Sequence, residues 1–168
     1  MSMKKQTLVL IGGVVLVAGI AVATPPSGVL LNQILATGAT DPDQPLSENF
    51  TVRNAAGDRW HLKLSASGPS NFYVQDLVFA PGGYSGWHHH PGVLMITVTE
   101  GSVDWYDGDC NKTTYAAGQS FTESKAVHDV VNSGSVDAHL FGAYITMKDE
   151  PRRIENNQPA CGISLGLQ

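Results

Sequence analysis

Basic side chains are scarce in this chain: ten Lys and Arg stand against fifteen Asp and Glu, a formal charge of −5 over 168 residues. No Lys/Arg cluster relieves that balance, which argues against partners held by counter-charge, nucleic acid and anionic membranes above all. The one adjacent basic pair beyond the N-terminal segment is Arg152-Arg153, and with Asp149, Glu150 and Glu155 around it the pair reads as solvated tail charge. Cysteine is scarcer still: the two residues lie 51 positions apart, so neither has the close second thiol of a cysteine-based metal site. Helical periodicity is missing after residue 24, and there are no internal repeats or low-complexity tracts. The length suits one domain with a core large enough to fold without help from metal or disulfides.

The first 23 residues stand apart from that domain. Lys4 and Lys5 precede an apolar run from Leu8 to Val22, which closes on Ala21-Val22-Ala23, a small-x-small cleavage pattern. The run is short for a membrane span of about 20 residues and contains Gly12, Gly13 and Gly19. A secretory signal peptide (residues 1–23) is therefore favoured over an uncleaved membrane anchor, and the expected destination is the bacterial periplasm or the exterior. Membrane contact would arise only through this segment if it were kept. The mature chain would carry eight basic and fifteen acidic residues, a formal charge of −7. Cys110 and Cys161 both fall in the exported part, where an even count favours a disulfide. Closing that 51-residue separation would contribute about 4 kcal/mol in the chain-entropy picture and staple a 151–168 tail to a body spanning 24–150.

Gly and Pro interrupt the body roughly every ten residues, and the segments between them are short, alternating and rich in Val, Thr, Tyr and Phe. Strands are expected over 29–37, 50–52, 59–65, 72–79, 94–99, 102–106, 113–116, 120–121, 127–132 and 136–147. Many short strands with turn chemistry between them imply a sandwich or a barrel. Glu100-Gly101 and Asp107-Gly108 sit where hairpins need tight turns. The apolar stretch VLLNQIL after the cleavage site is expected to add an edge strand to the chain's own sheet or to a partner's, which leaves a homodimer open.

Three consecutive histidines, His88 to His90, follow a glycine-rich turn and precede the apolar run Val93 to Val98. Strand parity sends His88 and His90 to one face and His89 to the other. Two imidazoles on one face of a stiff strand form half of a metal site, and an exposed polar patch is the competing explanation. His128, at the start of VHDVVN, is the candidate third ligand. His61 and His139 remain ambiguous, and Trp87, Tyr84, Phe79 and Phe141 read as packing or rim residues.

These residues resemble two motifs of the cupin superfamily. Gly82, five residues, His88-x-His90 and then Gly101 are similar to the first, G(x)5HxH(x)3-4E(x)6G; Gly118 to Asn132, with His128 three residues before Asn132, is similar to the second, G(x)5PxG(x)2H(x)3N. The resemblance covers roughly residues 72–147. It implies an all-β, jelly-roll barrel in a single domain, with His88, His90 and His128 holding a divalent transition metal (Fe, Zn, Mn, Ni or Cu) at one end of the interior.

Two departures shape the functional expectation. Leu94 stands where the motif places its glutamate ligand, and Glu123 and Lys125 replace the proline and glycine of the second motif. Glu123 is a possible substitute carboxylate, but a polar loop residue is the favoured reading. The expected site is thus three histidines without a carboxylate, which leaves a bound ion its full charge and up to three open positions. That arrangement suits a dioxygenase-like, metal-dependent oxidoreductase on a small molecule. The alternative is a non-catalytic module that binds a metal or a small ligand.

Overall fold

The computed structural model describes residues 23–41, 43 and 45–167; the expected signal peptide falls almost wholly on residues outside that range. The described residues form twelve strands and one short helix. Ten strands make one curled sheet along the path β12-β5-β10-β4-β11-β6-β9, with β1 added to β4 and the β7-β8 hairpin added through β10. The sheet bends into the expected jelly-roll barrel. No helix among the described residues is long and apolar enough to cross a membrane.

Strand parity builds the core. In β6 (Gly92–Glu100), Leu94, Ile96 and Val98 point inward and are almost fully buried, whereas Val93 and Met95 are exposed. The run is apolar at these outward positions as well. Among the described residues no second layer covers that face. β11 (Ala138–Met147) alternates the same way and turns Leu140 and Tyr144 inward. With Phe79 from β4 (Ser70–Tyr84), Val103 from β7 (Ser102–Asp107), Phe121 from β9 (Ser120–Glu123) and Val130 from β10 (His128–Val131), these residues form one hydrophobic cluster.

β1 (Ser27–Ala39), which carries VLLNQIL, pairs antiparallel with β4 of its own chain. β2 (Ser47–Arg53) and β3 (Arg59–Ser65) pair only with each other, as a hairpin with Phe50, Val52 and Trp60 exposed. β8 (Lys112–Ala116) closes the β7 hairpin across the turn that contains Cys110.

The last segment, read from the sequence only as a tail, holds a strand and a helix. β12 (Ile154–Glu155) adds to β5 (His88–His89), and α1 (Ala160–Leu165) packs Gly162 against the fully buried Trp87. A disulfide joins Cys110 to Cys161, with Cα atoms 6.1 Å apart, and so anchors α1 to the β7-β8 turn. The cross-link is the one read from the cysteine count. What it tethers is a strand of the barrel wall and not a loose end.

Candidate metal centre

β5 lies between β10 and β12, and in that ladder His88 is the direct cross-strand partner of His128. Residues opposite each other on an antiparallel pair project to the same face, about 5 Å apart at Cβ. Two histidines 40 positions apart therefore meet inside the barrel. His90, two residues along, turns inward with His88; both are buried, and the rings lie 4.9 Å apart between centroids. His89 points away as parity requires, and its Nδ1 meets Asn156 Oδ1 at 2.6 Å.

The fourth member is Glu123, and here the expectation of a polar loop residue is overturned. Glu123 ends β9, is 3% exposed, and places Oε2 3.2 Å from Nε2 of both His90 and His128. The ligand atoms offered by His88, His90, Glu123 and His128 all lie within 4.8 Å of one another. The carboxylate has moved across the sheet. Leu94 on β6 and Glu123 on β9 are direct register partners, so the glutamate stands on the rung opposite the one the motif assigns to it. Leu94 fills its own rung as a core residue, 1% exposed.

The backbone sets the tautomers. His88 Nδ1 lies 2.7 Å from the Gly86 carbonyl, His90 Nδ1 2.6 Å from that of Arg152, and His128 Nδ1 2.8 Å from that of Ala126. A carbonyl oxygen only accepts, so each Nδ1 carries the proton and each Nε2 presents a lone pair to the centre. Gly86 can supply its carbonyl because it is glycine: its φ is +73°, and a Cβ there would sit 1.9 Å from the Thr24 oxygen. Trp105 stacks on His128 at 5.9 Å between centroids and holds that ring from the far side.

Burial should keep Glu123 protonated. The charge that His128 can carry, with the His90 and His128 rings 3.2 Å away, outweighs it and holds the carboxyl well below the usual range. Burial likewise opposes charge on His128, yet Glu123 raises its pKa above the ordinary imidazole value. His88 goes the other way, lowered well below the ordinary value by burial, then by His128 and Arg153. The centre thus draws positive charge toward Glu123 while two buried atoms, His128 Nε2 and Glu123 Oε1, have no hydrogen-bond partner. Three imidazole lone pairs, one carboxylate and two orphaned atoms fit a divalent transition metal.

Around this group the barrel encloses a cavity of about 290 Å³. Leu94, Ile96, Val130 and Leu140 form its apolar wall, and Arg152, Arg153 and Glu155 reach it from the C-terminal segment. The reading of Arg152-Arg153 as solvated tail charge is therefore overturned. β12 docks beside β5 and carries both arginines to the cavity, which no local signal in the sequence announced. Asn132, at the motif position after His128, is a turn former: its side-chain nitrogen donates to the Phe79 and Val136 carbonyls at 2.9 and 2.8 Å. His139 pairs with Asp76 at 2.5 Å and His61 with Thr51 at 3.0 Å; neither joins the centre.

The cupin-domain family matches residues 75–158. No curated protein sequence matches the chain. Among solved structures the chain is similar to Peruvianin-I, a cysteine peptidase from Thevetia peruviana latex (18% identity, 52% of this chain and 56% of that one, TM-score 0.45). It is also similar to a cupin 2 conserved barrel domain protein from Salinispora arenicola (23% identity, 44% and 61%, TM-score 0.40) and to a cupin domain from Bordetella pertussis (18% identity, 62% and 97%, TM-score 0.41). The aligned part spans less than two thirds of the first two of these proteins. The family match takes in half of the chain, including the barrel strands that carry all four members of the buried histidine and glutamate group, and the chain belongs to the cupin-domain family.

Proposed function

We propose that this protein is an exported, metal-dependent cupin that acts on a small molecule as an oxidoreductase of the dioxygenase type, with His88, His90, His128 and Glu123 as the metal ligands. One observation carries the reading: all three histidines donate Nδ1–H to backbone carbonyls, which turns three lone pairs and one carboxylate toward a common point. Residues that merely packed a core would have no reason to share that tautomer.

Glu123 changes the chemistry expected of a three-histidine site. It neutralises one charge of a divalent ion and takes one position, leaving two open in an octahedral arrangement. When bound, a redox-active ion would supply one-electron chemistry toward O₂ and a Lewis-acid centre for the substrate. The protein's own part is positioning and exclusion. The imidazoles are fixed by main-chain hydrogen bonds, and the apolar wall keeps water from the open side, where electrostatic interactions are correspondingly strong. Export is supported by the disulfide, since such cross-links persist in oxidising compartments.

The test is elemental analysis of purified protein beside His90→Ala and Glu123→Leu, followed by O₂ uptake over a panel of small organic acids, thiols and phenols. The reading expects about one equivalent of a redox metal in the parent, loss in both variants, and O₂ consumption with at least one substrate. Metal retained in both variants would sink the ligand assignment. Bound metal without turnover on any substrate would favour the non-catalytic binding module.

A further inference from the structure

Two adjacent arginines line the cavity, and their surroundings differ. Arg153 has its counter-ion: Nε and Nη2 grip the Glu155 carboxylate at 2.5 and 2.7 Å, and Nη2 also donates to the Ser85 carbonyl at 2.6 Å. Arg152 has no such partner. Among the described residues no carboxylate lies within ion-pair distance of it, and the two carboxylates that line the cavity are held elsewhere, Glu123 by imidazoles and Glu155 by Arg153. A guanidinium has five N–H donors. The contact Arg152 makes within the chain is Nη1 to Gln75 Oε1 at 3.4 Å, on an oxygen that already accepts from the Tyr144 hydroxyl.

The side chain is nevertheless held in place. Its guanidinium carbon sits 5.3 Å from the Tyr73 ring centroid and 5.5 Å from that of Tyr144, while its carbonyl anchors His90. The His90 ring lies 5.5 Å from that of Tyr144 between centroids. Tyr144 therefore neighbours both an arginine that lacks a counter-ion and a member of the four-ligand centre.

We propose that the cavity takes a small carboxylic acid as its anion, the carboxylate gripped by Arg152 and the rest of the molecule extending past Tyr144 toward the histidine and glutamate centre. Guanidinium matches carboxylate in a bidentate fork, and the cost of leaving such donors unpaired selects against neutral ligands of the same shape. Charge agrees. Glu123 cancels one charge of a divalent ion, so ion and Arg152 together present a surplus of two positive charges to an anion. A cavity of about 290 Å³ suits a molecule of a few carbons. That the far end of the acid meets a metal rests on the function proposed above; the Arg152 contact does not.

The experiment is calorimetric titration of acetate, pyruvate, malonate and succinate, with pyruvamide as the uncharged control, into the parent, Arg152→Gln and Arg152→Lys. Each protein is tested as purified and after chelation, with metal content and melting temperature measured alongside. At least one acid should bind the parent saturably, pyruvamide should not, and Arg152→Gln should weaken the acid about tenfold or more, Arg152→Lys less. If Arg152→Gln melts differently from the parent, the comparison moves to Arg152→Lys, which keeps the charge and loses the fork. The proposal is overturned if no acid binds the folded parent, or if affinities in parent and Arg152→Gln agree within about threefold. Arg152-dependent binding by a parent that holds no metal would uphold this inference and remove the metal reading. A loaded metal with Arg152-independent binding would do the reverse.

Discussion

Exchanging Leu94 and Glu123 tests the relocation of the carboxylate directly. The two are register partners on β6 and β9, and both side chains enter the barrel. Glu123→Leu removes the one anion from the centre. A unit charge pair at 4 Å is worth about 4 kcal/mol at an effective dielectric of about 20. The divalent ion increases that figure, and relief of the carboxylate's burial offsets several kcal/mol. A net loss of about 3 kcal/mol corresponds to roughly 100-fold weaker metal binding. Leu94→Glu alone sets a second carboxylate about 5 Å from the first and crowds the space beside Gly142, so that variant should melt lower in the metal-free state. The double exchange Leu94→Glu/Glu123→Leu conserves volume and charge and returns the anion to the opposite rung; affinity should recover to within about tenfold of the parent. The assay is competition for Zn(II) against a fluorescent chelator, with melting curves to confirm folding. Parent-like affinity in Glu123→Leu would refute the assignment of Glu123 as a ligand. A folded double exchange with no recovery would refute the equivalence of the two rungs.

Three further outcomes follow from the same geometry. Cys161→Ser unties α1 and β12, so the protein should lose about 4 kcal/mol of stability by denaturant titration, and zinc should dissociate faster because His90 Nδ1 loses its fixed acceptor on Arg152. Gly86→Ala meets both a positive φ and the Thr24 oxygen; a drop of more than about 2 kcal/mol is expected, together with reduced metal content, and an unchanged melting temperature would contradict the close approach. Metal occupancy should fall on acidification: His128 is raised above its ordinary value, so below that value a proton occupies the ligand atom, and above it the lone pair is free. Buffered chelator titrations between pH 5 and 8 should show affinity rising with pH through this range and then levelling.

Much of the fold and part of the centre could be read along the chain. A nearly continuous apolar run marked β6, Glu100-Gly101 and Asp107-Gly108 marked the turns between β6, β7 and β8, and the paired cysteines marked the cross-link. Parity alone separated His89 from His88 and His90, because successive side chains on an extended backbone leave opposite faces. His128 entered by motif spacing, and the ladder explains why it arrives opposite His88. β12 and α1 were not legible, since a two-residue strand and a six-residue helix carry too little periodicity to register.

What the sequence by itself determined is what depends on neighbours in the chain: strand parity, turn positions, and the inward pair His88 and His90. The tertiary structure decided which carboxylate and which cations meet that pair. Glu123 is a polar residue at a strand end until the β6-β9 register sets it across from Leu94, and Arg152 is tail charge until the Cys110–Cys161 bridge and the β5-β12 ladder bring it over Tyr144. Register and docking are pairings between distant segments, fixed by hydrogen bonds and burial summed over the whole sheet. A carboxylate can therefore leave its motif position and still face the centre from the opposite rung.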